Sequence, residues 1–293
     1  MAMGKRKRKR QETLWIPTGE IPKPPAHPFY KRLNKILTKH GFDDFAEKAC
    51  AKFYAAKMGR PSLAPGIYFR LLLIGYFEGL DSERGIAWRT ADSLALRGFL
   101  GLALTEAPPD HSTISRTRRL IDVETHQAVF TWVLQQVAEA GLLQGKTIGI
   151  DATTLEANAA LRSIVRRDSG EGYQEFLTRL AKESGIETPT REDLARLDRK
   201  RPKKGSNDDW KHPHDPDARI TKMKDGRTHM GHKAEHAVDL DTGAIVGVTV
   251  QGTDTGDTSS MVETLITAAE QVEAVLPESE GIEEVVGDKG YNS

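Results

Sequence analysis

The spacing of apolar residues changes once along this chain, from the period of helices to that of β-strands. Between residue 29 and about residue 143, apolar positions recur at helical intervals, and glycines and prolines separate the segments. After residue 143, short apolar runs of the kind that form strands predominate. We therefore predict a helical N-terminal domain at residues 29–143, followed by an α/β domain at residues 144–293.

Three helices of the N-terminal domain have recognisable ends. One begins near Pro65, a residue that suits a first helical turn, and is stopped by Gly79. A second begins at a cap within residues 110–112, and a third carries one apolar stripe over residues 123–137. In addition, the domain contains two tryptophans that we predict to lie in its core, Trp88 and Trp132.

The second domain is predicted to contain strands at residues 147–151 and 284–288, each of which ends in an aspartate. Residues 233–240 and 244–250 flank an Asp-Thr-Gly turn and predict a hairpin. A helix follows, for which residues 260–263 have the spacing of a capping box. The order strand, hairpin, helix, strand is typical of an α/β fold.

Residues 160–228 separate the first strand from the hairpin and are polar and highly charged. We predict that this stretch is an insertion with a helix at residues 173–182. We also predict that it is mobile, because residues 199–204 and 208–217 are charged, interrupted by prolines and poor in apolar residues. Trp210 lies inside it, and one interpretation of this residue is that its ring stacks on a DNA base.

The 42 basic and 42 acidic residues balance, but they are unevenly distributed. Residues 1–40 contain eleven Lys or Arg against two Glu, whereas residues 239–293 contain twelve Asp or Glu against one Lys. We predict that residues 1–28 form a basic, proline-rich arm, which either binds nucleic acid or only keeps the protein in solution. The basic run of this arm consists of Lys5, Arg6, Lys7, Arg8, Lys9 and Arg10.

Composition excludes several classes of protein. Cys50 is the only cysteine, which excludes an intramolecular disulfide and a cysteine-based zinc cluster. The longest apolar run, at residues 71–77, is much shorter than the roughly 20 residues of a membrane span. No signal-peptide pattern follows the basic N-terminus. We therefore expect a cytoplasmic protein without membrane contact.

Asp151 and Asp288 are the residues most informative about chemistry, because each follows an apolar strand. Side chains at the carboxyl ends of strands lie at one edge of an α/β sheet, where such folds keep their sites. Two carboxylates brought together repel unless a cation lies between them, and hard oxygen ligands select Mg²⁺ or Mn²⁺. The alternative is that each aspartate only caps its strand or the turn that follows.

Five histidines are close together in the sequence and could be proposed as zinc ligands. Because no cysteine accompanies them and prolines surround two of them, we interpret them as loop histidines near DNA rather than as a zinc site. They are His212, His214, His229, His232 and His236.

Several segments together resemble the bacterial insertion-sequence transposases of the DDE class, which have a ribonuclease-H-like catalytic domain. Residues 149–158 resemble the strand that carries that family's first aspartate, and residues 287–293 resemble the motif of its second. Residues 215–239 are similar to its second strand, and residues 109–116 to the end of its N-terminal helical domain. The resemblance covers roughly residues 60–293.

The resemblance implies both a fold and an activity. The fold would be a helical DNA-binding domain followed by a ribonuclease-H-like mixed-sheet domain. The protein would cleave and join transposon ends, as a homo-oligomer on double-stranded DNA in the nucleoid. Asp151 and Asp288 would hold two Mg²⁺ or Mn²⁺ ions that activate a water or a 3′-hydroxyl. Together with the basic arm, three arginines would neutralise phosphates of the inverted repeats and target DNA, namely Arg116, Arg118 and Arg119.

The sequence departs from that family's pattern at one point. The family requires a third acid, a glutamate on a helix well after the second aspartate, and only five residues follow Asp288. Glu156 and Glu235 precede Asp288, so resemblance does not assign this role to either. We therefore expect a truncated or frame-interrupted transposase that does not cleave DNA by itself. The alternatives are a DNA-binding regulator of transposition and a ribonuclease-H-like nuclease unrelated to transposition.

Overall fold

The structure is a computed structural model that describes residues 26–55, 62–201 and 205–291, together with Trp15 and Pro17. The chain divides into two compact units, which we call unit 1 (Met1–Phe130) and unit 2 (Thr131–Ser293). The run from Lys5 to Arg10 lies outside the described residues, so its interaction with DNA stays a prediction.

The N-terminal part of the chain is helical, as its periodicity predicted. Its α-helices are α1 (Pro28–Lys39), α2 (Phe42–Cys50), α3 (Pro65–Phe77), α4 (Glu83–Asp92), α5 (Leu94–Phe99), α6 (His111–Leu120) and α7 (Val123–Glu139).

The predicted helix ends in this part are confirmed. Pro65 is the first residue of α3, and Gly79, with a φ of 64°, follows its end. At the start of α6, the backbone N–H of Ser112 donates to the side chain of Asp110 at 2.8 Å. This bond satisfies one of the N–H groups that a helix leaves free at its start.

The buried guanidinium of Arg70 connects helices of unit 1. Arg70 of α3 is 6% exposed, and its guanidinium donates to both carboxylate oxygens of Asp43 in α2, at 2.5 and 2.9 Å. It also donates to the Asn34 side chain in α1 and to the Gly66 carbonyl, both at 3.0 Å. A Cβ on Gly66 would collide with the Asp43 carboxylate. A single side chain therefore ties three helices together, and Gly66 provides the space for its partner.

Unit 2 contains a five-stranded mixed sheet. The β-strands of the described chain are β1 (Thr147–Glu156), β2 (Val165–Arg166), β3 (Trp210–Lys211), β4 (Arg219–Lys222), β5 (Thr228–Asp239), β6 (Ile245–Gly252) and β7 (Glu284–Gly287). The helices of unit 2 that follow α7 are α8 (Tyr173–Glu183), α9 (Arg191–Lys200) and α10 (Asp257–Val275). The large sheet has the order β4-β5-β1-β7, and β6 also pairs with β5. Helix α10 packs against β5 and β6.

Strand β1 occupies the centre of this sheet. It pairs antiparallel with β5 and parallel with β7. Ile148 and Ile150 of β1 are buried, as are Val246 of β6 and Ala268 of α10. The predicted combination of helices and a mixed sheet is confirmed.

Two predicted details of unit 2 are wrong. Strand β1 does not end at Asp151 but continues to Glu156, because its pairing with β5 continues as far as Glu156 opposite Gly231. The predicted capping box is also absent, since α10 begins at Asp257, after Gly256 at the cap position. Ser260 is instead a buried residue of the helix, where its hydroxyl has a different set of partners.

Residues 160–228 contribute side chains to buried apolar clusters, although the stretch is polar overall, and the helix predicted at residues 173–182 is confirmed as α8. One buried cluster contains Trp210, and a second joins α8 to α9 through Leu177, Ala181 and Leu194. The Trp210 ring is 3% exposed and packs edge-on against the rings of Tyr173 and Phe176, at centroid distances of 5.1 and 5.2 Å. Stacking of Trp210 on a DNA base is therefore excluded in this conformation.

The two tryptophans predicted for the N-terminal core differ in environment. Trp88 is 68% exposed, so its assignment to the core is wrong. Trp132 is half-buried. None of the helices in the described part of the chain is both long enough and apolar enough to cross a bilayer.

Replacement of Asp43 by alanine would leave the Arg70 guanidinium buried without its carboxylate. We expect the free energy of unfolding to fall by about 2 kcal/mol, the usual cost of losing hydrogen bonds to a charged group. Asp44→Ala is the matched control, because Asp44 lies in the same first turn of α2 but is exposed. Urea denaturation measures both values, and equal losses would show that Arg70 does not depend on Asp43.

Burial, together with a hydrogen bond to Asp198 at 2.7 Å, raises the pKa of Tyr173 to about 12. The folded protein thus holds this proton more tightly than the unfolded chain does, whose tyrosine pKa is about 10. The resulting stabilisation is complete below about pH 10 and is lost as the pH rises through about 12. We expect wild type to be more stable than Tyr173→Phe at neutral pH, with the difference shrinking towards pH 12 in denaturant titrations. A difference independent of pH would contradict this packing.

Candidate functional site

Asp151 lies in β1, and Asp288 immediately follows β7, the parallel neighbour of β1. The parallel pairing of β1 with β7 ends with Ile150 opposite Gly287, and an aspartate follows each of these residues. Both carboxylates are exposed and line one cavity of about 200 Å³, which we call the carboxylate cavity. Its lining consists of Asp151, Ala152, Thr154, Lys233, Thr253, Thr255, Asp257, Asp288 and Tyr291.

The backbone fixes one oxygen of each aspartate. The N–H of Ala152 donates to Oδ1 of Asp151 at 2.8 Å, and the N–H of Gly290 donates to Oδ1 of Asp288 at 2.7 Å. These bonds are local, since the donors lie one and two residues from the acceptors. Each carboxylate is therefore oriented by a backbone N–H group that lies close to it in the sequence.

The cavity contains a lysine and a third aspartate that sequence reasoning did not single out. Lys233 of β5 is 6% exposed, and its ammonium donates to Asp257 at 2.5 Å and to Ser260 at 2.7 Å, both on α10. Lys233 neutralises Asp257, so Asp257 is already paired within the protein. The sequence does place a lysine inside a predicted strand, which is an unusual position for an unpaired charge.

Glu235 lies beneath the cavity and is fully buried. Its carboxylate accepts hydrogen bonds from Ser260 at 2.7 Å, from Thr264 at 2.5 Å and from Tyr291 at 2.9 Å. Lys233 Nζ is 3.7 Å from the same carboxylate. Burial and the bond to Glu235 raise the pKa of the Tyr291 hydroxyl, which therefore keeps its proton and remains a donor.

The other acid considered from the sequence, Glu156, lies outside the carboxylate cavity. Its Oε1 lies 2.7 Å from Nδ1 of His229, and the side chain lines a separate cavity with Met223 and Asp225. Neither Glu156 nor Glu235 lines the carboxylate cavity.

Gly290 separates two carboxylates of the cavity. A Cβ at this position would lie 2.9 Å from Oδ1 of Asp288 and 3.0 Å from Oδ2 of Asp257. The first contact is shorter than those of real Cβ atoms and the second is tight, so a side chain here would shift the Asp288 carboxylate and crowd that of Asp257. The absence of a side chain at Gly290 therefore keeps the space between Asp257 and Asp288 open.

The donor set at Asp151 and Asp288 fits a hard divalent cation such as Mg²⁺ or Mn²⁺, since both groups are carboxylates facing a polar cavity. Among residues 26–55, 62–201 and 205–291, no three His, Cys, Asp or Glu side chains are placed to hold a metal ion together. A cation at this site would thus have two carboxylate ligands from the described chain and complete its shell with water or substrate oxygens.

The five histidines are distributed over several contacts. His229 pairs with Glu156, His232 with Asp215 at 3.0 Å, and His236 is the strand partner of Asp151 on β5. His212 is 5% exposed, and its ring packs edge-on against that of His214. The described residues give no support to a shared zinc site.

The three arginines predicted to contact DNA are exposed side chains of α6 in unit 1. Arg118 forms an ion pair with Glu83 of α4 at 2.9 Å. Arg116 and Arg119 donate to carbonyls of their own helix, those of Ser112 and Ser115. Arg116 and Arg119 are therefore more available for phosphate contacts than Arg118.

The N-terminal part of the chain is similar to a known protein family. Residues 20–120 match the family model described as Transposase domain (DUF772). This match supports a transposase family. It ends where α6 ends and includes the three arginines. No curated protein and no solved structure matches the chain.

Proposed function

We propose that the protein is a DDE-type DNA transposase, in which unit 1 binds DNA and the carboxylate cavity of unit 2 is the place of phosphodiester cleavage. The observation that carries this proposal is that Asp151 and Asp288 each follow the last paired residue of the parallel strands β1 and β7 and line one cavity. The transposase-domain match of unit 1 is independent support. The strand order, with β1 between antiparallel β5 and parallel β7, is in line with a ribonuclease-H-like fold for unit 2.

The residues of the cavity have distinct tasks in this proposal. Asp151 and Asp288 would bind Mg²⁺ or Mn²⁺, which supplies a Lewis acid for activating a water or a 3′-hydroxyl. The N–H groups of Ala152 and Gly290 hold the two carboxylates in place before any ligand arrives. Lys233 engages Asp257, which leaves Asp151 and Asp288 as the acids available to a cation.

DNA binding is proposed for the exposed arginines of α6 and for the basic arm. Arginine binds phosphate oxygens through a planar fork of N–H groups, and each phosphate neutralised releases counterions. Double-stranded transposon ends are the proposed ligand, and a homo-oligomer on DNA is the proposed active form. These contacts carry affinity but little sequence information.

Arg116→Ala combined with Arg119→Ala should weaken binding to all duplexes. We expect the slope of log affinity against log salt to fall by about 2, since each lost phosphate contact removes about 0.9. The matched control removes two exposed arginines from α9, Arg191 and Arg199. Fluorescence anisotropy at several salt concentrations measures both, and equal slopes for the two double variants would contradict a role for α6.

Asp151→Asn and Asp288→Asn should each weaken Mn²⁺ binding, which we expect in the millimolar range for an open site with few protein ligands. Asp217→Asn is the control, because Asp217 is exposed and lies outside the cavity. Electron paramagnetic resonance of free Mn²⁺ gives the dissociation constants. Neither Asn variant should change DNA affinity, and unchanged Mn²⁺ binding in both would refute the proposed site.

A second candidate function is a regulator that occupies transposon ends without cutting them. The presence of only two available carboxylates in the described cavity favours it. Cleavage of transposon-end DNA in Mg²⁺, lost in both Asn variants, would support the transposase. DNA and Mn²⁺ binding without cleavage is expected of the regulator, and also of a transposase that lacks its third acid.

A further inference from the structure

The turn after β7 is attached to the sheet at two points. On one side of Asp288, Gly287 is registered with Ile150 of β1. On the other side, the Tyr291 hydroxyl donates to Glu235 at 2.9 Å, and Glu235 is the strand partner of Ala152 on β1. The two attachments lie opposite Ile150 and Ala152 of β1, the residues directly before and after Asp151.

The turn between these two points is short and hydrogen-bonded internally. The N–H of Tyr291 donates to the Asp288 carbonyl at 3.2 Å, and the N–H of Gly290 donates to the Asp288 side chain. The Tyr291 ring also lies against Gly287, within 3.3 Å of where a Cβ on that glycine would be. The turn has little freedom to move while Tyr291 stays attached to Glu235.

We propose that Glu235 is a positioning residue, which fixes Asp288 relative to Asp151 through the Tyr291 hydroxyl; this rests on the proposed function of the two aspartates. Glu235 does not line the cavity, and its buried carboxylate is immobilised by Ser260 and Thr264 of α10. A buried carboxylate held in this way is a rigid acceptor. Loss of a group that orients the ligands of a metal site typically lowers the metal affinity by about 10- to 100-fold.

The alternative is that Glu235 and Tyr291 only stabilise the fold. Every buried carboxylate needs partners, and loss of a partner lowers stability wherever it occurs. Stability alone therefore does not distinguish the two roles, and a readout at Asp288 itself is required. The Gly290 amide supplies one, because its hydrogen bond to Asp288 protects it from exchange with solvent.

Tyr291→Phe removes only the hydroxyl and keeps the ring that packs on Gly287. The matched control is Tyr173→Phe, which also removes a hydroxyl donor to a carboxylate, that of Asp198, elsewhere in unit 2. Two measurements are made on the full chain: amide hydrogen exchange at Gly290 without metal, and Mn²⁺ binding by electron paramagnetic resonance.

We expect Tyr291→Phe to accelerate exchange at Gly290 and to weaken Mn²⁺ binding by about tenfold, the lower end of the effect of losing an orienting group. Tyr173→Phe should change neither. Unchanged exchange at Gly290 in Tyr291→Phe, or an equal increase in both variants, would overturn the positioning role. A different outcome is that exchange accelerates in Tyr291→Phe alone while Asp151→Asn binds Mn²⁺ as tightly as wild type does. In that case the positioning role stands and the proposed metal function fails.

Discussion

Pairing of β1 on both sides is the constraint on which the rest of unit 2 depends. Its antiparallel partner β5 carries Lys233 and Glu235, and its parallel partner β7 leads into Asp288. Because burial of one face of the sheet and the hairpin turn specify the strand register, the positions of these side chains relative to Asp151 follow from the pairing. A slip of one residue in either pair would move the charged residues to the opposite face of the sheet. Strand register thus places Asp151 and Lys233 in the carboxylate cavity, whereas Asp288 also depends on the turn that follows β7.

Both units bury charge, and each compensates it in a different way. In unit 1, the Arg70 guanidinium donates hydrogen bonds to a carboxylate, an amide oxygen and a backbone carbonyl. In unit 2, the Glu235 carboxylate accepts hydrogen bonds from three hydroxyl groups, and Lys233 lies nearby. A buried ion without such partners would be strongly destabilising. These networks fix which helices and strands contact each other, so they specify the arrangement as well as contributing to stability.

Local signals predicted much of this fold, and long-range contacts account for what they missed. The helix ends at Pro65, Gly79 and Asp110 follow from backbone preferences of single residues, and the hairpin from its turn. The length of β1 depends on β5, and the partners of Ser260 depend on the packing of α10 on the sheet, so neither was visible in a local pattern. Asp151 and Asp288 could be singled out because each follows an apolar run. Lys233 and Asp257 meet only after the hairpin has packed against α10, and Trp210 is covered only when α8 folds over it.

Strand β7 has only four residues, and its partner β1 ends at Glu156, far earlier in the chain. Closing so long a loop costs conformational entropy before any contact is gained, and contacts of high sequence separation slow folding. During synthesis, β1, the hairpin and α10 all emerge before β7. Among the strand pairings of the described residues, the parallel pairing is therefore the last that the ribosome makes available. A nascent chain would contain Asp151 before Asp288 is synthesised. The two acids would therefore come together only after β7 has been translated.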